Sequence, residues 1–133
     1  MKEPVMEENV SEFKGKNGLG RILAAFGYSM EGMKAAWIHE FAFRQELIVF
    51  GFATLLALVL PLSAFQKLVL INVMLLVLMV ELINSAIEAV VDRVSLERHP
   101  LSKRAKDLGS AAVAVALLIA SLTWAVILFN RFW

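Results

Sequence analysis

Three stretches of this chain, about residues 47–65, 67–91 and 107–129, are apolar over nearly their whole length. Each approaches or exceeds the ~20 residues that a helix needs to cross a ~30 Å hydrocarbon core. In lipid every backbone N–H and C=O must be satisfied within the chain, so such segments fold as α-helices. Composition agrees. The apolar share is 59%, above the roughly half found in soluble domains, and a chain of 133 residues cannot hide that much apolar surface in a water-facing core. The predicted class is all-α integral membrane: an N-terminal amphipathic surface helix and three transmembrane helices. Charge is nearly balanced, with 13 Lys and Arg against 12 Asp and Glu. With no basic patch interleaved with aromatics, nucleic acid is excluded as a partner. There is no Cys, hence neither a disulfide framework nor a thiolate metal site.

Residues 1–18 form a polar tail without the apolar run of a signal peptide. Its glycines lack the flanking strand and the Lys-Ser/Thr of a phosphate-binding loop, and a linker is the simpler reading. Residues 19–40 change pattern. Ile22, Phe26, Met30, Met33 and Trp37 recur at three- or four-residue intervals, with Arg21, Ser29, Glu31 and Lys34 off that stripe. This spacing predicts an amphipathic helix lying in the bilayer interface. Pro61 and Ser63 predict a tight turn. Pro100 and Ser102 predict a helix start after the polar loop at 92–107. Lys and Arg concentrate in the N-terminal region and that loop, which places both in the cytoplasm.

The second span carries carboxylates inside its helical pattern. Glu81 and Glu88 are two turns apart, about 10 Å along the axis, and Asn84 and Asp92 lie at helical spacings from Glu88. All four fall within one stripe. Counted from Gln66, Glu81 lies about 22 Å along the helix, within a turn or two of the cytoplasmic surface. Ionisable groups near lipid depth usually mark function. The plainer reading is a salt-bridged stripe inside a bundle. The same rim gathers Glu40, Glu46 and Asp107, and cations from Arg21, Lys34, Arg44, Arg93, Arg98, Lys103, Arg104 and Lys106. Carboxylates suit Mg²⁺ bound with phosphates, Lys and Arg suit phosphate oxygens, and a carboxylate at the apolar edge suits a general base. The set fits phosphoryl transfer rather than Ser or Cys nucleophile chemistry. A non-catalytic membrane subunit, a proton pathway or an assembly scaffold is the rival of another class. A proton pathway requires polar groups through the whole span, and residues 47–65 offer no ionisable one.

Three blocks resemble the signatures of the small prokaryotic diacylglycerol kinases: AAWIHEFAFRQE (35–46), VELINSAIEAVVDR (80–93) and KRAKDLGSAAV (103–113). The likeness runs from about residue 20 to the C-terminus. It implies a homotrimer of the bacterial inner membrane, three spans and a surface helix per chain, that phosphorylates diacylglycerol with MgATP to give phosphatidate. It implies Glu81 as general base and Glu40 and Glu88 as ligands of the metal on ATP. It implies ATP contacts from Arg21, Tyr28, Glu97, Arg98, His99, Lys106 and Asp107, with Asn84 supporting the site. Lipid contacts would follow the surface helix through Arg21, Ala25, Phe26, Gly27, Tyr28, Ser29, Met30, Lys34, Ala35, Ala36 and Trp37. They would continue over Ala42, Phe43, Arg44, Gln45 and Glu46, with Ser110 opposite and Glu81 at the reacting hydroxyl. Met30, His39 and Arg98 depart from the enterobacterial pattern, where Trp, Asn and an aromatic are common. The undecaprenol kinase branch of the family would share this site with a different lipid. One chain offers too few elements to enclose both ATP and a lipid headgroup. The small residues Gly109, Ser110, Ala111, Ala112, Ala114 and Ala116 favour close packing with copies of itself. Active sites shared between subunits are therefore expected.

Overall fold

The computed structural model describes residues 18–133; apart from Gly18, the polar tail at 1–18 lies outside the described residues. Four helices follow one another: α1 (Gly18–His39), α2 (Phe41–Val59), α3 (Ala64–Val94) and α4 (Pro100–Phe132). No strand occurs among the described residues. By length and composition α2, α3 and α4 can each cross a membrane. The chain divides into two units after Ala35. In the first, the expected stripe of α1 is exposed at Ile22, Phe26, Met30 and Met33.

The second unit, from Ala36 onward, is punctuated by local chemistry. Glu40 takes an extended conformation (φ −107°, ψ 110°) between α1 and α2, and its side chain makes no cap. Arg44 stabilises the end of α1. Its Nη1 donates to the carbonyls of Trp37 at 2.8 Å and Ile38 at 3.1 Å, where helix carbonyls lack partners. Pro61 forces the preceding residue out of helical geometry, and Leu60 is extended at φ −67°, ψ 147°. Lys67 reaches back to the Leu58 carbonyl at 2.6 Å. Ser63 and Gln66 form a reciprocal capping box at the start of α3. Pro100 opens α4, and His99 Nδ1 accepts from the Leu101 N–H at 3.2 Å.

Helix α3 is central, packing against both α2 and α4. At 31 residues it is about 46 Å long, longer than a ~30 Å bilayer core. Near one end Leu70 packs with Ala57 and Leu62 beneath Trp124. Midway, Val77 sits on Ala116 and Ala120, whose small side chains let α4 approach. Further along, Leu78 packs with Ala36 and Phe43. Outward-facing Phe52, Leu55, Val115, Leu118 and Leu122 are exposed, as lipid-facing residues are.

Candidate active site

The buried stripe of α3 continues past Leu78 into Glu81 and Asn84. Glu81 is only 4% exposed. With Glu40, Ala42, Asn84, Glu88, Ser110 and Val113 it lines a recess of about 300 Å³. Four elements build it: the α1–α2 break supplies Glu40, α2 Ala42, α3 the acidic stripe, and α4 Ser110 and Val113. The Asn84 Nδ2 donates to Glu88 Oε1 at 3.1 Å. Asn84 Oδ1 is buried without a hydrogen-bond partner, and so is Glu46 Oε2 on α2. Each such orphan costs about 1–3 kcal/mol, an arrangement that stability alone does not favour.

One turn beyond Glu88, α3 and α4 enclose a larger groove of about 620 Å³. Its polar lining includes Asp92, Glu97, Arg98, His99, Lys106 and Asp107. Five of the expected nucleotide contacts thus share one groove. Lys106 Nζ pairs with Asp92 Oδ1 at 2.6 Å, tying α4 to α3. Lys103 Nζ pairs with Asp107 Oδ2 at 2.5 Å. That pair is largely exposed and contributes little to stability, so a polyanion can replace it at low cost. Because His99 Nδ1 accepts a backbone N–H, its neutral ring carries the proton on Nε2, a donor left for a ligand.

The other expected site residues distribute as follows. Arg21, Ala25, Phe26, Gly27, Tyr28, Ser29, Met30, Lys34 and Ala35 are exposed in the first unit. In the second unit Trp37, Ala42, Gln45 and Ser110 are exposed, and Arg44 is held at the end of α1. Two of the expected lipid contacts are not exposed in this chain. Ala36 and Phe43 are buried against Leu78; Phe43 is 1% exposed, and its ring packs α2 onto α3. Asp92, one turn beyond Glu88 on the same face of α3, pairs with Lys106 and lines the groove rather than the recess.

Among the described residues no three His, Cys, Asp or Glu side chains could hold a metal ion by themselves. The donors at the recess are carboxylates of Glu40 and Glu88. One or two carboxylates completed by phosphate oxygens is how Mg²⁺ commonly binds at kinase sites, so the donor set fits that ion.

The profile of the family described as "Prokaryotic diacylglycerol kinase" matches residues 27–128. The chain belongs to the prokaryotic diacylglycerol kinase family. It is similar to the diacylglycerol kinase of Pseudomonas aeruginosa, 56% identical over 120 residues, covering 90% of this chain and 98% of that one. To the diacylglycerol kinase of Escherichia coli K12 it is 50% identical over 115 residues, covering 86% and 94%. To that of Haemophilus influenzae it is 43% identical over 112 residues, covering 84% and 95%. The family match spans both the recess and the groove of this kinase-family chain. Sequence reasoning missed two features there. The Asp92–Lys106 pair joins residues on different helices, where no periodicity links them. Gly109, read only as a small packing residue, lies directly against Asn84.

Proposed function

We propose that this chain transfers the γ-phosphoryl group of ATP to diacylglycerol, giving phosphatidate, at the cytoplasmic surface of a bacterial inner membrane. The observation that carries this reading is a nearly buried carboxylate, Glu81, in a recess where Glu40, Asn84, Glu88 and Ser110 converge. Family membership supplies the substrate class. The lipid hydroxyl oxygen bonds to the γ-phosphorus, and the bond from that phosphorus to the β,γ-bridging oxygen breaks. ADP leaves. The hydroxyl proton passes to the Glu81 carboxylate and then to water, a general-base contribution of typically 10²–10⁴ in rate. Glu40 and Glu88 would hold the Mg²⁺ of MgATP, which neutralises phosphate charge when bound. Glu97, Arg98, His99, Lys106 and Asp107 bind ATP in the adjoining groove, and Arg21 and Tyr28 are further nucleotide contacts. Lys106 gives up Asp92 for a phosphate oxygen, and Asp107 is freed from Lys103. The exposed face of α1 meets the lipid. The distribution of Lys and Arg supports a cytoplasmic N-terminus.

The test uses purified protein in mixed micelles, γ-labelled ATP and either diacylglycerol or undecaprenol. Label in phosphatidate is the expected result. Label only in the isoprenoid phosphate overturns the substrate but keeps the site; label in neither overturns both. We propose further that the active unit is a homotrimer with sites shared between subunits. Arg21→Ala and Glu81→Gln proteins, each inactive, should regain activity when unfolded, mixed and reassembled. About a quarter of two-chain sites would then carry both intact residues. A mixture as inactive as its parents assigns each site to one chain.

A further inference from the structure

Gly109 is a buried residue of α4. A methyl group in place of its α-hydrogen would run into Asn84 Oδ1 and lie 3.2 Å from Asn84 Cγ. At Gly27, Gly32 and Gly51 such a methyl would meet nothing within 4 Å. The glycine hydrogen therefore faces the carboxamide oxygen that has no hydrogen-bond partner. A Cα–H donor is weak, yet it suits a carbonyl oxygen and not an NH₂ group. At the other end of the amide, Nδ2 donates to Glu88 Oε1 at 3.1 Å. Reversing the amide would set its NH₂ against the glycine hydrogen and its oxygen against a carboxylate. Gly109 and Glu88 together hold Asn84 in one orientation.

We propose that Gly109 is a positioning residue for phosphoryl transfer. Its missing side chain forms the niche that keeps the Asn84 amide donating to Glu88. That hydrogen bond engages one carboxylate oxygen of Glu88 and leaves the other for the metal on the nucleotide. The inference rests on the reading of Glu88 as a metal ligand. Partners that orient a metal ligand typically matter by 10–100-fold in metal affinity or activity.

The experiment compares Gly109→Ala, Asn84→Ala and the double variant of the full-length protein. Mn²⁺ binding with ATP but without diacylglycerol is measured by electron paramagnetic resonance. The Mg²⁺ needed for half-maximal rate, KM for diacylglycerol and thermal unfolding in detergent are measured in parallel. Gly109→Ala should weaken Mn²⁺ binding and raise the Mg²⁺ requirement about 10–100-fold, with KM for diacylglycerol unchanged. Asn84→Ala should do the same, and the double variant should be no worse than Asn84→Ala, because the group that the methyl strikes is gone. Gly51→Ala, the control, should match wild type. Wild-type Mn²⁺ binding in Gly109→Ala beside a loss in Asn84→Ala overturns the inference and leaves the metal site standing. Wild-type behaviour in Asn84→Ala overturns both. If Gly109→Ala alone fails to fold, a folded double variant with the affinity of Asn84→Ala supports the proposal. A double variant that is unfolded, or whose losses are additive, overturns it.

Discussion

In its first half α3 buries Leu70, Val77 and Leu78; a turn further on, the same stripe buries Glu81 and Asn84. The two ends share a helix and a packing geometry but differ in what their buried atoms require. At the Leu70 end the core cluster is aliphatic and aromatic with no charged group in it, Trp124 Nε1 being its one buried donor without a partner, and Ser63 and Gln66 satisfy each other in the cap. At the Glu81 end Glu46 Oε2 and Asn84 Oδ1 are buried without hydrogen-bond partners, and the packing opens into a recess. The dry end is arranged for stability and the polar end for a ligand.

The largest test of that contrast removes the Glu81 charge. Glu81→Gln should leave folding intact and slow phosphoryl transfer at least about a hundredfold, measured in the micelle assay; near-normal turnover would remove Glu81 from the chemistry. Leu70→Ala should do the reverse. Lipid already solvates Leu in the dissociated helix, so mainly the cavity cost remains, about 2 kcal/mol. Unfolding in detergent should report that loss while kcat stays unchanged, and a kcat deficit would join the two ends functionally. Next come Glu88→Gln and Glu40→Gln, each expected to raise the Mg²⁺ requirement about 10–100-fold, at least as much as loss of a residue that only orients a ligand. Two unchanged titrations would exclude both residues from the metal. The smallest effect belongs to Ser63→Ala, which loses one N-cap bond and about 1 kcal/mol, again with no change in rate.

Several features were legible in the chain alone because they are local or periodic. Hydropathy over bilayer length located the membrane-spanning helices. Pro61, Ser63 and Pro100 marked the breaks, since proline restricts the backbone and serine offers a cap. Helical spacing put Glu81, Asn84 and Glu88 on one face. Phe43 shows where such reasoning stops. Its place beside Arg44 and Glu46 suggests an interfacial residue, but the side to which α2 turns is decided by packing against Leu78.

By itself, then, the sequence determined the helices, their order and the acidic stripe, because these depend on backbone propensity, hydropathy and a repeat of 3.6 residues. Only the tertiary structure decided which groups meet across helices. It set Asp92 on Lys106, brought Glu40 and Ser110 to the same recess as Glu81, and put Gly109 against Asn84. Those contacts depend on how α3 is rotated and how closely α4 approaches it, and both follow from the packing of Val77 on Ala116 and Ala120. A register set by side-chain volumes on two helices has no signature along either one.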